Sequence, residues 1–221
     1  MNLFWSDSPK LTGTGAAAFV LFSGAGVAHA QSAPLALSRA SLANAATFTV
    51  TQTLAPKGVT NLVRVFKIEV KGNQARLDYD DQAIGPVRYL ANKQGVFFLI
   101  PANKNAVKQT FQGGVEGALK VAFAQARQQL VGAKKIGAQS VSGQPTTVYR
   151  AQNGTLIYVG TRPGFRLPVK TETRNEGGTS TLLVSDIKLN PVLSDARFAL
   201  PPGTKIIEGE NAGVPTLPGL Q

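Results

Sequence analysis

The sequence predicts an α+β chain, a curled antiparallel half-barrel of roughly ten strands with one or two helices on its concave face. Three observations predict it. Short β-rich runs recur between turn residues from Thr47 to Ile207. Several runs alternate apolar and polar side chains, so the sheet has one greasy face and one wet face. One amphipathic stretch of helical period interrupts the strands, and a long antiparallel sheet of this kind curls.

The first thirty residues stand apart. Lys10 precedes an apolar, small-residue run from Ala16 to Val27, and Ala28-His29-Ala30 fits the small-x-small pattern before a cleavage point. Residues 1–30 are expected to be an export signal removed before Gln31. A retained anchor is the alternative, but this run falls short of the roughly twenty residues that span a bilayer.

Removal of that segment restricts the chemistry. His29 is the only His, Trp5 the only Trp and Met1 the only Met, and there is no Cys. A mature chain without imidazole or thiol excludes Ser-His-Asp and Cys-His catalysis and His- or Cys-ligated metals. No cofactor and no disulfide are expected. Lys10 and Asp7 leave together, so the formal net charge stays at +11. Such a charge suits transient contact with an anionic membrane surface. It does not suggest nucleic acid, because the chain is exported and has no aromatic-basic cluster. Asp78, Asp80 and Asp81 form the only acidic cluster. Paired carboxylates hydrolyse glycosides in some enzymes. Beside a turn, on the wet side, these read as solubilising charges, and no enzymatic activity is expected.

Residues 31–207 of the mature chain are expected to form one domain, with residues 208–221 as a flexible tail. Pro34 can open a short helix within the Ala- and Leu-rich residues 31–46. Thr47–Leu54 alternates and reads as the first strand. Leu62–Lys71, Gln74–Asp80, Val87–Ala91, Val96–Ile100 and Ala106–Phe111 follow as a five-strand meander across Gly72-Asn73, Asn92-Lys-Gln-Gly95 and Pro101–Asn105. Phe66, Ile68 and Val70 share one face of it, Lys67, Glu69 and Lys71 the other. Ala75, Leu77 and Tyr79 alternate with Arg76, Asp78 and Asp80 in the same way. From Val115 to Val131, Leu119, Phe123, Ala126 and Leu130 recur at helical spacing, and Gly132 ends the run. Strands resume at Lys135–Ala138, Thr146–Arg150, Thr155–Val159, Leu167–Thr173 and Ser180–Leu189. A short closing segment spans Ala196–Leu200, and Thr204–Ile207 is a candidate edge strand.

The greasy face needs a cover. Phe66, Ile68, Leu77, Tyr79, Phe98 and Phe111 on the sheet, with Leu119, Phe123 and Leu130 on the helix, are the candidates for the wall of an interior cavity. Each contributes about 1.5–3 kcal/mol on burial whether it is plain core or ligand contact.

Two sets of residues carry a resemblance to a known family. One is Val70–Leu77 followed by Gly95-Val96-Phe97-Phe98 and Pro101-Ala102-Asn103-Lys104. The other is Leu167-Pro168-Val169-Lys170, then Ile187–Pro191, then Asp195, Phe198 and Leu200-Pro201-Pro202-Gly203. Over nearly the whole mature chain these resemble the bacterial lipoprotein carrier superfamily, LolA and LolB among its members. The resemblance implies a half-open barrel with a helical lid, an apolar cavity for acyl chains of lipids or lipoproteins, and a periplasmic monomer. A secreted protein is the alternative location. An envelope sensor or interaction domain of the same fold, with no transport role, is the alternative function. The resemblance also implies that the Arg of the second meander strand, Arg76 here, latches the lid. The alternation instead puts Arg76 on the polar face, and a β-bulge would reconcile the two.

Overall fold

In the computed structural model, residues 41–109 and 128–208 are described. They form one twelve-stranded sheet: β1 (Ala45–Pro56), β2 (Leu62–Lys71), β3 (Gln74–Asp81), β4 (Gly85–Asn92), β5 (Gly95–Ile100), β6 (Asn105–Gln109), β7 (Lys134–Val141), β8 (Gln144–Arg150), β9 (Leu156–Gly160), β10 (Pro168–Asn175), β11 (Gly178–Leu189) and β12 (Lys205–Glu208). The order is β12-β6-β5-β4-β3-β2-β1-β11-β10-β9-β8-β7. Every run read as a strand in the sequence is present, that of Ala106–Phe111 as far as the described residues reach. The count of roughly ten falls short by two, and β12 extends through Glu208, one residue into the expected tail.

Two antiparallel meanders, β1–β6 and β7–β11, meet where β1 pairs with β11. That seam carries a bulge. Thr47 and Thr49 sit opposite Lys188 and Ser185, and Asp186 absorbs the extra residue at φ 53°. Asp tolerates the left-handed region better than most residues, and a bulge adds twist and bend. Gly178 closes the β10–β11 hairpin at φ 138°, where a Cβ would stand 2.2 Å from the Ala55 carbonyl oxygen. Only glycine fits there.

β12 departs from the antiparallel expectation. It runs parallel to β6, Ile206 opposite Ala106. It gets there because the chain leaves β11 in mid-sheet and crosses the outer face as a strap, residues 190–204, containing a 3₁₀ turn at Asp195–Phe198. The strap covers Leu90, Phe97, Leu99 and Ala106, with Leu200 packed against them and Phe198 fully buried. Asn92 Nδ2 donates to the Phe198 carbonyl at 2.8 Å. Lys71 Nζ donates to Asp195 Oδ1 at 2.6 Å and to the Leu193 carbonyl at 2.8 Å.

Candidate functional site

Side chains of directly paired residues share a sheet face, so the register defines the inner face row by row. One row runs Phe48, Ile68, Leu77, Tyr89, Phe98, Val107 across β1 to β6. The next runs Val50, Phe66, Tyr79, Val87. The rings of Phe66–Tyr79 and Tyr89–Phe98 meet at a tilt, 49° and 59°, with 5.2 Å between centroids in each pair. Burial raises the phenol pKa of Tyr79, and the charge of Asp81 adds to it while Arg64 opposes it. Tyr89 is raised further by burial, then by Tyr79 and Asp81.

The sequence candidates Phe66, Ile68, Leu77, Tyr79 and Phe98 therefore lie together on one face. All are buried except Phe98, which is half-buried. Leu130 is buried too, against Tyr149, Ile157 and Val159 of β8 and β9. Ile157 pairs with Thr171 and Thr171 with Leu182, so this cluster belongs to the same inner face, at its far side. Residues 128–130 are helical. Phe111, Leu119 and Phe123 lie outside the described residues, as do the expected signal peptide and most of both expected helices.

Sequence reasoning missed Phe165. The loop between β9 and β10 folds it onto the inner face, where its ring meets Phe48 edge-on at 5.4 Å and 80°. Backbone bonds from Ala43 N to the Gly164 carbonyl (2.7 Å) and from Arg166 N to the Ser41 carbonyl (2.7 Å) hold the loop. Pro163-Gly164 announces a turn, and nothing in the local pattern announces that the next ring is core. Beside Phe165 lies an apolar cleft of about 50 Å³, walled by Phe48, Val50, Leu167, Val169, Leu182 and Val184.

Arg76 sits on the outer face, where its alternation with Leu77 and Tyr79 puts it. Its Nη2 meets Asp78 Oδ2 at 2.5 Å, and Nη1 donates to the Arg197 carbonyl at 3.4 Å. β3 has no register break at Arg76 that would turn it inward. Its partners among the described residues are thus its own strand and the strap. The acidic cluster does not converge. Asp78 is held on the outer face between Arg76 and Arg88 (2.7 Å), whereas Asp81 accepts the backbone N–H groups of Ala83 and Ile84 at the β3–β4 turn. Among the described residues no three His, Cys, Asp or Glu side chains group as metal ligands. No described helix is long and apolar enough to cross a membrane.

The fold has counterparts among solved structures. An uncharacterised conserved protein from Thermus thermophilus superposes with a TM-score of 0.50 at 12% identity, over 76% of this chain and 92% of that one. A LolA superfamily protein from Nitrosomonas europaea gives 0.38 at 13% identity, over 71% and 90%. The MucA/MucB complex of Pseudomonas aeruginosa gives 0.47 at 14%, over 77% of this chain and 60% of that one. No protein-family model matches the sequence, and no curated protein matches it significantly. The likeness to the Thermus thermophilus protein, at 12% identity, is one of fold.

Proposed function

We propose that this half-barrel is a periplasmic, carrier-like protein whose inner face binds the acyl chains of lipids or lipoproteins. The observation that carries the reading is the unbroken apolar inner face, from Val107 through Phe98, Tyr89, Leu77 and Ile68 to Phe48. Six strands contribute to it without a charged side chain in the row. A continuous apolar row of this kind suits contact with a hydrocarbon chain, which supports a binding role. Lys and Arg elsewhere on a chain of net charge +11 favour approach to anionic lipid surfaces. The cleft of about 50 Å³ is smaller than the roughly 300 Å³ at which ligand pockets begin.

Native mass spectrometry of the mature protein, purified from its own periplasm without detergent and followed by organic extraction, tests this directly. A co-purifying phospholipid, fatty acid or acylated peptide supports the reading and names the cargo class. Phe66→Asp and Phe98→Asp should abolish uptake of an acyl probe. A clean ligand-free mass, together with failure to take up such a probe, would sink the proposal and leave a scaffold that works through its surface.

A further inference from the structure

The short segment from Ser41 to Ala45 gathers three parts of the chain at one end of the sheet. Arg166 N donates to the Ser41 carbonyl and Ala43 N to the Gly164 carbonyl, which holds the β9–β10 loop there. Gly72 N donates to the Asn44 carbonyl and Asn190 N to the Ala45 carbonyl, both at 2.8 Å. Those two bonds bring the β2–β3 turn and the root of the strap alongside. The β9–β10 loop turns at Arg162-Pro163-Gly164-Phe165, closed by a bond from Phe165 N to the Arg162 carbonyl at 3.0 Å, with Gly164 at φ 79°. Phe165 goes inward to wall the apolar cleft, while Arg162 and Arg166, on either side of the turn, are exposed. Lys188, opposite Thr47 near the end of β11, is exposed too. Two residues past Asn190 stands Val192, the most exposed large apolar side chain among the described residues.

The charges at this end do not balance. Asp195 is held by Lys71, and Glu69 by Arg197. Asp186, two residues before Lys188, accepts from the Ser185 hydroxyl at 2.9 Å. Among the described residues Arg162, Arg166 and Lys188 form no ion pair.

We propose that this end of the half-barrel docks on an anionic lipid bilayer. Arg162, Arg166 and Lys188 meet lipid phosphates, and Val192 reaches the boundary between head groups and acyl chains. The inference rests on the acyl-binding reading and adds the surface that supplies the chain. One loop carries both the bilayer contacts, Arg162 and Arg166, and a wall of the cleft, Phe165. Arginine suits phosphate because its planar guanidinium bonds two oxygens at once. An exposed apolar tip among cations gains from burial at that boundary and from attraction to anionic lipid together.

The test measures binding of the mature full chain to vesicles of phosphatidylcholine alone and of phosphatidylcholine and phosphatidylglycerol in equal parts. Wild type should bind the second kind only, and added salt should weaken the binding. A cation close to an anionic surface contributes roughly fivefold in affinity. The Arg162→Gln, Arg166→Gln double variant should therefore lose about tenfold or more. The Lys134→Gln, Lys135→Gln double variant removes the same charge from exposed positions at the opposite end of the sheet, where Lys134 pairs with Arg150, and should lose little. Val192→Ser should weaken binding by a smaller factor without changing its salt dependence. All these side chains are exposed, and unchanged melting temperatures check that the variants are folded. Equal losses in the two double variants would mean that net charge alone attracts the protein, and would overturn the proposal. So would failure of wild type to bind either vesicle, which would leave this end to a protein partner. Uptake of an acyl probe in free solution is the separate readout. Uptake without docking overturns this proposal and spares the acyl-binding reading, whereas docking at this end without uptake overturns that reading.

Discussion

Arg197 closes a two-pronged contact on Glu69, with Nε donating to Oε2 at 2.8 Å and Nη2 to Oε1. The carboxylate raises the guanidinium pKa, first through the hydrogen bond and then through its charge. Glu69 is on β2 and Arg197 in the strap, so the pair fastens the strap to the outer face. The Arg197 side chain is 46% exposed, and water screens the contact accordingly. Glu69→Gln or Arg197→Ala should therefore cost only about 1 kcal/mol. Urea unfolding of both single variants and the double variant measures the coupling. Additive losses would show that the pair is uncoupled and that the strap is held by its other contacts, Phe198, Leu200 and the hydrogen bonds from Asn92 and Lys71 among them.

The strength of the inner face depends on a ring that no strand supplies. Phe165→Ala should destabilise by about 3–5 kcal/mol, because it empties a fully buried site. The Phe48→Ala, Phe165→Ala double variant should lose less than the sum, by about 0.5–1.5 kcal/mol, since the edge-on contact is lost only once. Thermal unfolding of the four proteins reads this. Strict additivity would mean that the two rings are independent.

Acid should weaken the protein partly through Glu172. Lys170 stands 3.0 Å and Arg174 2.6 Å from its carboxylate, on the outer face of β10. The hydrogen bonds from Lys170 and then Arg174 hold its pKa below the ordinary 4.5. A depressed carboxylate pKa stabilises the fold above the unfolded value, and that contribution fades as pH falls through the lowered folded value. Glu172→Gln should therefore lower the melting temperature near neutrality. The gap to wild type should close below about pH 4. A gap that persists unchanged in acid would assign the loss to packing.

The strands were legible because alternation is a local signal. Phe66, Ile68, Leu77 and Tyr79 fall on one face by counting in twos, and the register confirms the rows they form. The same counting places Arg76 correctly on the outer face, although the family resemblance suggested a lid latch. What counting misses depends on where irregular chain comes to rest. Phe165 follows a Pro-Gly turn, and Phe198 sits in a Pro-rich stretch without periodicity, yet both are core. The parallel β12 was unreadable in principle, because four residues carry no information about which distant edge they join.

The seam between β1 and β11 has a consequence for how the protein assembles. Nearly every other rung joins strands adjacent in sequence, each closed by a short turn. The seam brings Val50 against Val184 from opposite ends of the described chain. Loop-closure entropy must be met before those contacts repay it, so the two meanders are expected to form early and their union to limit the rate. Stopped-flow refolding would show it. Val184→Ala should slow folding more than Val87→Ala, which removes a similar side chain from within one meander. The strap, anchored beyond the seam, then acts as a latch on unfolding, setting how long the assembled sheet survives once made.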